Sequence, residues 1–122
     1  MDRVRIGITG QSHAEVFLKK KGYKLITSNW RSKLGEIDLI MRDKDTLIFV
    51  EVKALTRFSR HFQPEDHLTP SKERKLKQLA LAYLNWRNIG GTSYRIDLVA
   101  VDLDRDLPVL DIRHYENIIE DT

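Results

Sequence analysis

Apolar residues recur at two different spacings along this chain, and the changes of spacing divide it into elements. Ala14, Phe17 and Leu18 keep a helical spacing. Ser12-His13-Ala14-Glu15 has capping-box spacing, which predicts a first helix beginning near Ser12. Lys19-Lys20-Lys21-Gly22 supplies cations for its last turn and a glycine to end it. Residues 23–30 read as a strand, with Tyr23, Leu25 and Thr27 on one side. Two more strands are predicted at 35–42 and 46–53, joined around Asp43-Lys44-Asp45. Residues 54–68 hold scattered aromatics, His61, Pro64 and His67 without a clear period, and read as a loop. Thr69-Pro70 then supplies a cap and a first-turn proline for a second helix. Leu76, Leu79, Ala80, Tyr83 and Leu84 carry its apolar stripe toward Asn88, before Gly90-Gly91. Residues 93–102 read as a strand and 108–113 as a weaker last one. The order is αβββαββ, an α/β arrangement with a mixed sheet flanked by helices.

With 122 residues the chain fits one domain, spanning 1–122. Hydrophobic residues make up 41% and charged ones 32%, a globular rather than disordered balance. The absence of cysteine excludes disulfides, thiol catalysis and cysteine-based zinc sites, and fits a reducing, cytoplasmic setting. No long apolar stretch follows the N-terminus, so neither a signal peptide nor a membrane span is expected. The net charge of +3 is compatible with a polyanionic partner but too mild to identify one.

Strands two and three carry charge where a small domain would prefer uncharged residues. Side chains alternate along a strand, so Glu36, Asp38 and Ile40 share one face and Ile37, Leu39 and Met41 the other. Phe49, Glu51 and Lys53 share a face of the next strand. With an even loop, opposed residue numbers sum to 89, placing Asp38 across from Glu51 and Glu36 across from Lys53. An odd loop without a bulge would send the two carboxylates to opposite faces. Carboxylates about 5 Å apart repel by roughly 3 kcal/mol at an effective dielectric near 20. Mg²⁺ or Mn²⁺ would offset this, because hard cations take a few carboxylate oxygens and keep waters that contact phosphate. Lys53 could then stabilise developing phosphorane charge or position the attacking water. The plainer alternative is a Glu36–Lys53 cross-strand ion pair with Asp38 and Glu51 on a solvated face.

Asp38, then Glu51-Val52-Lys53, resembles the PD-(D/E)XK nuclease signature. The wider set of Asn29-x-Arg31, Gly35-Glu36-Ile37-Asp38-Leu39-Ile40, Phe49-Val50-Glu51-Val52-Lys53, Lys72 and Arg95-x-Asp97 resembles the bacterial YraN-like (UPF0102) family of endonuclease-related proteins, over about residues 10–101. That resemblance implies a restriction-endonuclease-like fold similar to that of archaeal Holliday-junction resolvases. It implies Asp38 and Glu51 as metal ligands, Lys53 as the catalytic lysine and Glu15 as an additional acid on the first helix. Lys72 matches a basic position that contacts phosphate, with Arg31 and Arg57 as further candidates for nucleic-acid binding. The loop after Lys53 departs from the family, since His61-Phe62-Gln63 stand before Pro64 where a glycine is usual; this leaves loop-mediated substrate choice open.

The leading expectation is a metal-dependent endonuclease acting on DNA, including branched DNA, with a homodimer implied because cutting two strands needs two sites. The alternative is a nucleic-acid-binding or assembly module that keeps a nuclease fold without turnover; a plain protein-binding surface ranks third. Several residues have simpler uses. Glu15 can close a capping box on Ser12. Asp97 and Arg95 read as a structural ion pair, and Lys72, Arg74, Lys75 and Lys77 as a solvated helix face. Trp30 and Trp86 read as core or rim packing. The four histidines show no ligand spacing.

Overall fold

The computed structural model describes residues 3–56, 68–104 and 108–119. Helix α1 spans Arg3–Lys20, β1 Lys24–Ser32, β2 Gly35–Asp43, β3 Thr46–Thr56, α2 Pro70–Trp86, β4 Tyr94–Leu103 and β5 Val109–Tyr115. The five strands form one sheet in the order β1-β2-β3-β4-β5. Only β3 and β4 run parallel, over the ladder from Leu47↔Tyr94 to Thr56↔Leu103. The other neighbours are antiparallel, so the sheet is mixed and α2 makes its one crossover.

Each helix covers one face. Ala14 and Leu18 of α1 pack on Leu39, Met41, Ile48, Val50, Val99 and Val101. Leu76, Leu79, Ala80, Tyr83 and Leu84 of α2 pack on Ile37, Ile40, Phe49 and Ile96. All five apolar positions expected of α2 are buried. Its N-cap is Thr69, whose Oγ1 accepts from the Lys72 amide at 3.2 Å, and Pro70 follows where a missing N–H costs nothing. The helix closes at Trp86 rather than nearer Asn88, with Asn88 in the left-handed region at φ 59°.

Helix α1 begins at Arg3, nine residues before Ser12. Ser12 is therefore mid-helix and caps nothing. Gly7, Thr9 and Gly10 are weak helix formers, which hides this half of the helix from a propensity argument. Packing overrides propensity here: Gly10 is buried, and a Cβ on it would collide with Ala54 Cβ on β3. The glycine is what lets the helix lie this close to the sheet. At the other end Gly22 takes φ 98° and donates to the Lys19 carbonyl at 2.9 Å.

Strand β3 continues to Thr56, past the expected end at Lys53, because its parallel ladder with β4 continues through Ala54, Leu55 and Thr56. The expected loop loses these three residues; its remainder, with Arg57, His61, Pro64 and His67, lies outside the described residues apart from Leu68. The β2–β3 turn is the two-residue Lys44-Asp45, with Lys44 at φ 54°, and the pairs from Asp43↔Thr46 to Leu39↔Val50 all sum to 89.

Candidate active site

The regular ladder stops one pair short of the carboxylates. Beyond Leu39↔Val50 the β2–β3 pairing ends, and the Val52 amide donates to Asp38 Oδ2 at 2.8 Å instead of to a β2 carbonyl. On the other side of β2 the pairs skip Asp38, passing from Ser28↔Leu39 to Trp30↔Ile37. Asn29, across from Asp38, sits in the left-handed region at φ 52°. This kink changes which residues share a face. Ile37 packs into the α2-side core while Leu39 and Met41 pack into the α1-side core. The simple alternation that grouped Ile37 with Leu39 and Met41 therefore fails at Asp38. The ladder ends at this point, and Asp38 and Glu51 stand where its next pair would have been.

The even loop does bring Asp38 and Glu51 together. Their carboxyls lie in hydrogen-bond contact, which demands a proton or a cation between them. Glu51 is only 6% exposed. Burial pushes the Asp38 carboxyl up to about 8, aided by its hydrogen bond to Glu51 and the charges of Glu51 and Glu36; the Val52 amide opposes this. Lys72 Nζ, from the first turn of α2, meets Glu51 Oε2 at 3.0 Å. Burial pulls the Lys72 ammonium down, but Glu51, and then Asp38, outweigh it and hold the group above its ordinary value. Lys53 lines the same cleft as Lys72. Together these side chains line a cleft of about 310 Å³, with Lys75 on its rim and Leu76 and Leu79 behind.

Glu36 does not meet Lys53. Its Oε1 accepts from Asn29 Nδ2 at 2.7 Å and lies 3.8 Å from Arg31 Nε, both on β1. Asn29 is tied in turn to Gln11 of α1 through both amide atoms, at 2.8 and 3.1 Å. Arg31 itself is 79% exposed on the edge strand. Glu15 faces elsewhere: Lys19 Nζ holds its Oε2 at 2.7 Å, and neither cleft beside Asp38 is walled by it. Arg57 lies outside the described residues. Among the described residues no group of three or more histidine, aspartate or glutamate side chains converges. A cation at Asp38 and Glu51 would therefore complete its shell with main-chain carbonyls and water, which suits Mg²⁺ or Mn²⁺ better than zinc.

A second buried charge centre was read only in part from the sequence. Asp97 is fully buried and accepts from Arg95 Nε at 3.1 Å and from the Asn117 amide at 2.9 Å; His114 Nε2 lies 2.8 Å from its other oxygen. Burial alone would raise the Asp97 carboxyl, but the hydrogen bonds from His114, Asn117 and Arg95 hold it below the ordinary carboxylate range. Arg95 Nη2 also donates to Tyr23 Oη at 2.5 Å and meets Glu116 at 2.9 Å. Arg95 and Asp97, two apart on β4, were legible as an ion pair. His114 was not, since only β4–β5 pairing brings it beside Asp97.

The model of the Uncharacterised protein family UPF0102 matches residues 10–101. A UPF0102 protein of Caldicellulosiruptor saccharolyticus is 38% identical over 118 residues, covering 96% of this chain and 98% of that protein. One from Desulfosudis oleivorans is 43% identical over 99 residues, 81% of this chain and 80% of that protein. One from Coxiella burnetii is 41% identical over 104 residues, 84% of this chain and 86% of that protein. Among the described residues no helix is long and apolar enough to cross a membrane.

Proposed function

This chain belongs to the uncharacterised protein family UPF0102, and we propose that it is a metal-dependent nuclease hydrolysing phosphodiesters in DNA, branched or otherwise structured DNA included. One observation carries the reading: two acidic side chains meet in a largely buried position, in the wall of a cleft that they share with Glu36 and with Lys53, Lys72 and Lys75. A fold gains nothing in stability from that contact, since burying two acids side by side forces one of them to keep a proton or take a cation. A site for a hard divalent cation beside a phosphate explains both halves of the arrangement.

Asp38 and Glu51 would hold Mg²⁺ or Mn²⁺. When bound, such an ion polarises the phosphate and lowers the pKa of its water. The remaining work falls to the protein. Lys53 and Lys72 sit where they offset the negative charge that grows on the phosphoryl oxygens during in-line attack. Lys72 is on Glu51 at 3.0 Å, and an arriving phosphate offers it an alternative anion. Lys75, at the rim, contacts the flanking backbone by charge and carries no base readout. The Val52 amide keeps Asp38 aimed into the cleft through its 2.8 Å hydrogen bond.

The test is cleavage of plasmid and four-way-junction DNA with Mg²⁺ or Mn²⁺ by the wild type, Asp38→Ala and Glu51→Ala. The wild type alone should cut, and equal activity in all three sinks the mechanism. The Lys72–Glu51 ion pair gives the second reading, a nucleic-acid-binding module without turnover, its particular support: it already neutralises one carboxylate. Calorimetry separates the two. Binding of Mn²⁺ to the wild type but not to Asp38→Ala favours the nuclease; DNA binding without Mn²⁺ binding favours the module.

A further inference from the structure

Asp38, Glu36 and Val52 line a second cleft as well, of about 480 Å³, on the side of α1. It meets the α2-side cleft at those three residues, so Asp38 stands where the two hollows join, with Glu51 on the α2 side. The two hollows differ in chemistry. The α2 side sets Lys53, Lys72 and Lys75 against Glu36, Asp38 and Glu51. The α1 side has Val4 and Ile8 on its helix wall, 71% and 63% exposed, with Gln11 below them and Arg31 on the opposite rim. Exposed Val4 and Ile8 are four residues apart on one helix face, and no described element covers them. Gly7, between them in sequence, leaves the wall open: a Cβ there would meet nothing within 4 Å.

We propose that this α1-side cleft is a subsite for one unpaired nucleotide of the substrate strand, next to the phosphate held at Asp38 and Glu51. The proposal rests on the nuclease reading and narrows its substrate to DNA with an unpaired or splayed base at the cut. Size is the first argument. A hollow of about 480 Å³ has room for a single small-molecule-sized group. Chemistry is the second. A duplex presents its phosphates, which need only cations; an unpaired base presents an apolar face and hydrogen-bonding edges. Val4 and Ile8 suit the face, and the second Nε2 hydrogen of Gln11, beyond the one given to Asn29, suits an edge, while Arg31 lines the same cleft for the adjoining phosphate. Continuity is the third: the two hollows adjoin at Asp38, so a strand whose phosphate lies there can run on into this cleft.

The experiment is fluorescence-anisotropy binding of a short labelled single strand, and of the same strand annealed as a duplex, in EDTA so that no cleavage intervenes. Gly7→Leu fills the hollow and is a better helix former than glycine, so the fold is kept. Ile8→Glu places a negative charge on the same wall at an exposed position, and thermal melting verifies both variants. Each should weaken single-strand binding by about tenfold, the loss that one base contact brings, and duplex binding by less than about twofold. Lys72→Ala should weaken both ligands together. If Gly7→Leu and Ile8→Glu bind the single strand like the wild type while Lys72→Ala weakens both ligands, the subsite is wrong and the nuclease reading stands. Equal losses on both ligands also overturn the subsite. If the wild type binds neither ligand, both readings fall.

Discussion

The shared contact between Asp38 and Glu51 makes a pH prediction that needs no metal. In the folded chain the Asp38 carboxyl is raised to about 8, from 3.8 in a free side chain, first by burial and then by Glu51. The native state therefore keeps a proton that the unfolded chain has already lost. Stability must then fall as pH rises from about 4 to about 8, by at most about 1.4 kcal/mol per pH unit, and level off above that window. Asp38→Asn removes the titration while keeping size and one polar end. Between pH 5 and pH 7 the stability of the variant relative to wild type should rise by about 2–3 kcal/mol, equivalent to roughly 10 °C in Tm for a chain of this length. Urea denaturation of both proteins in metal-free buffer at pH 5, 6, 7, 8 and 9 measures the difference and cancels every other titrating group. Glu51→Gln in the same series should flatten the wild-type slope, because the partner's charge is gone. Parallel curves for wild type and Asp38→Asn from pH 5 to pH 8 would refute the reasoning: Asp38 would then ionise normally and the carboxyls would share no proton.

Two further predictions test the scaffold. Gly10→Ala should destabilise the fold by about 1–2 kcal/mol, the overpacking cost exceeding the helix propensity gained, because the new Cβ meets Ala54 Cβ, which has no rotamer to escape into; a higher urea midpoint would contradict the close α1–β3 approach. Asp97→Asn should cost on the order of 3 kcal/mol at neutral pH, since it breaks a buried charge network. Asp97 is held below its ordinary value, so its stabilisation is present above that value and is lost as pH falls through the folded one; the gap between wild type and variant should therefore close in acid. A gap independent of pH down to acid unfolding would place the anion elsewhere.

Much of the architecture was legible because local signals agreed with one another. Period-two runs marked the strands, Thr69-Pro70 marked the start of α2, and its five-residue stripe is the face that is buried. The first helix was half hidden. Gly7 and Gly10 read as breakers when considered alone, but the second is required by contact with a strand more than forty residues away. Conversely, Ser12-His13-Ala14-Glu15 has the spacing of a cap in the middle of a helix, and Glu15 turns to Lys19. Capping patterns describe a helix end only if the helix ends there.

Loop parity is a local property, so the chain by itself determined that Asp38 and Glu51 would meet. A two-residue turn keeps the register as far as Leu39↔Val50, one pair short of the two carboxyls, and so brings them to neighbouring places. Only the tertiary structure decided what they meet in. The kink at Asn29 and Asp38 ends the ladder and turns the Val52 amide onto Asp38. It also swings Glu36 toward Asn29 and Arg31 and away from Lys53. Lys72 and the buried His114–Asp97 pair likewise depend on which helix or strand packs beside them. The reason is physical: pairing follows from the period of the backbone, whereas a pKa, a cleft and a partner follow from everything that excludes water around the pair.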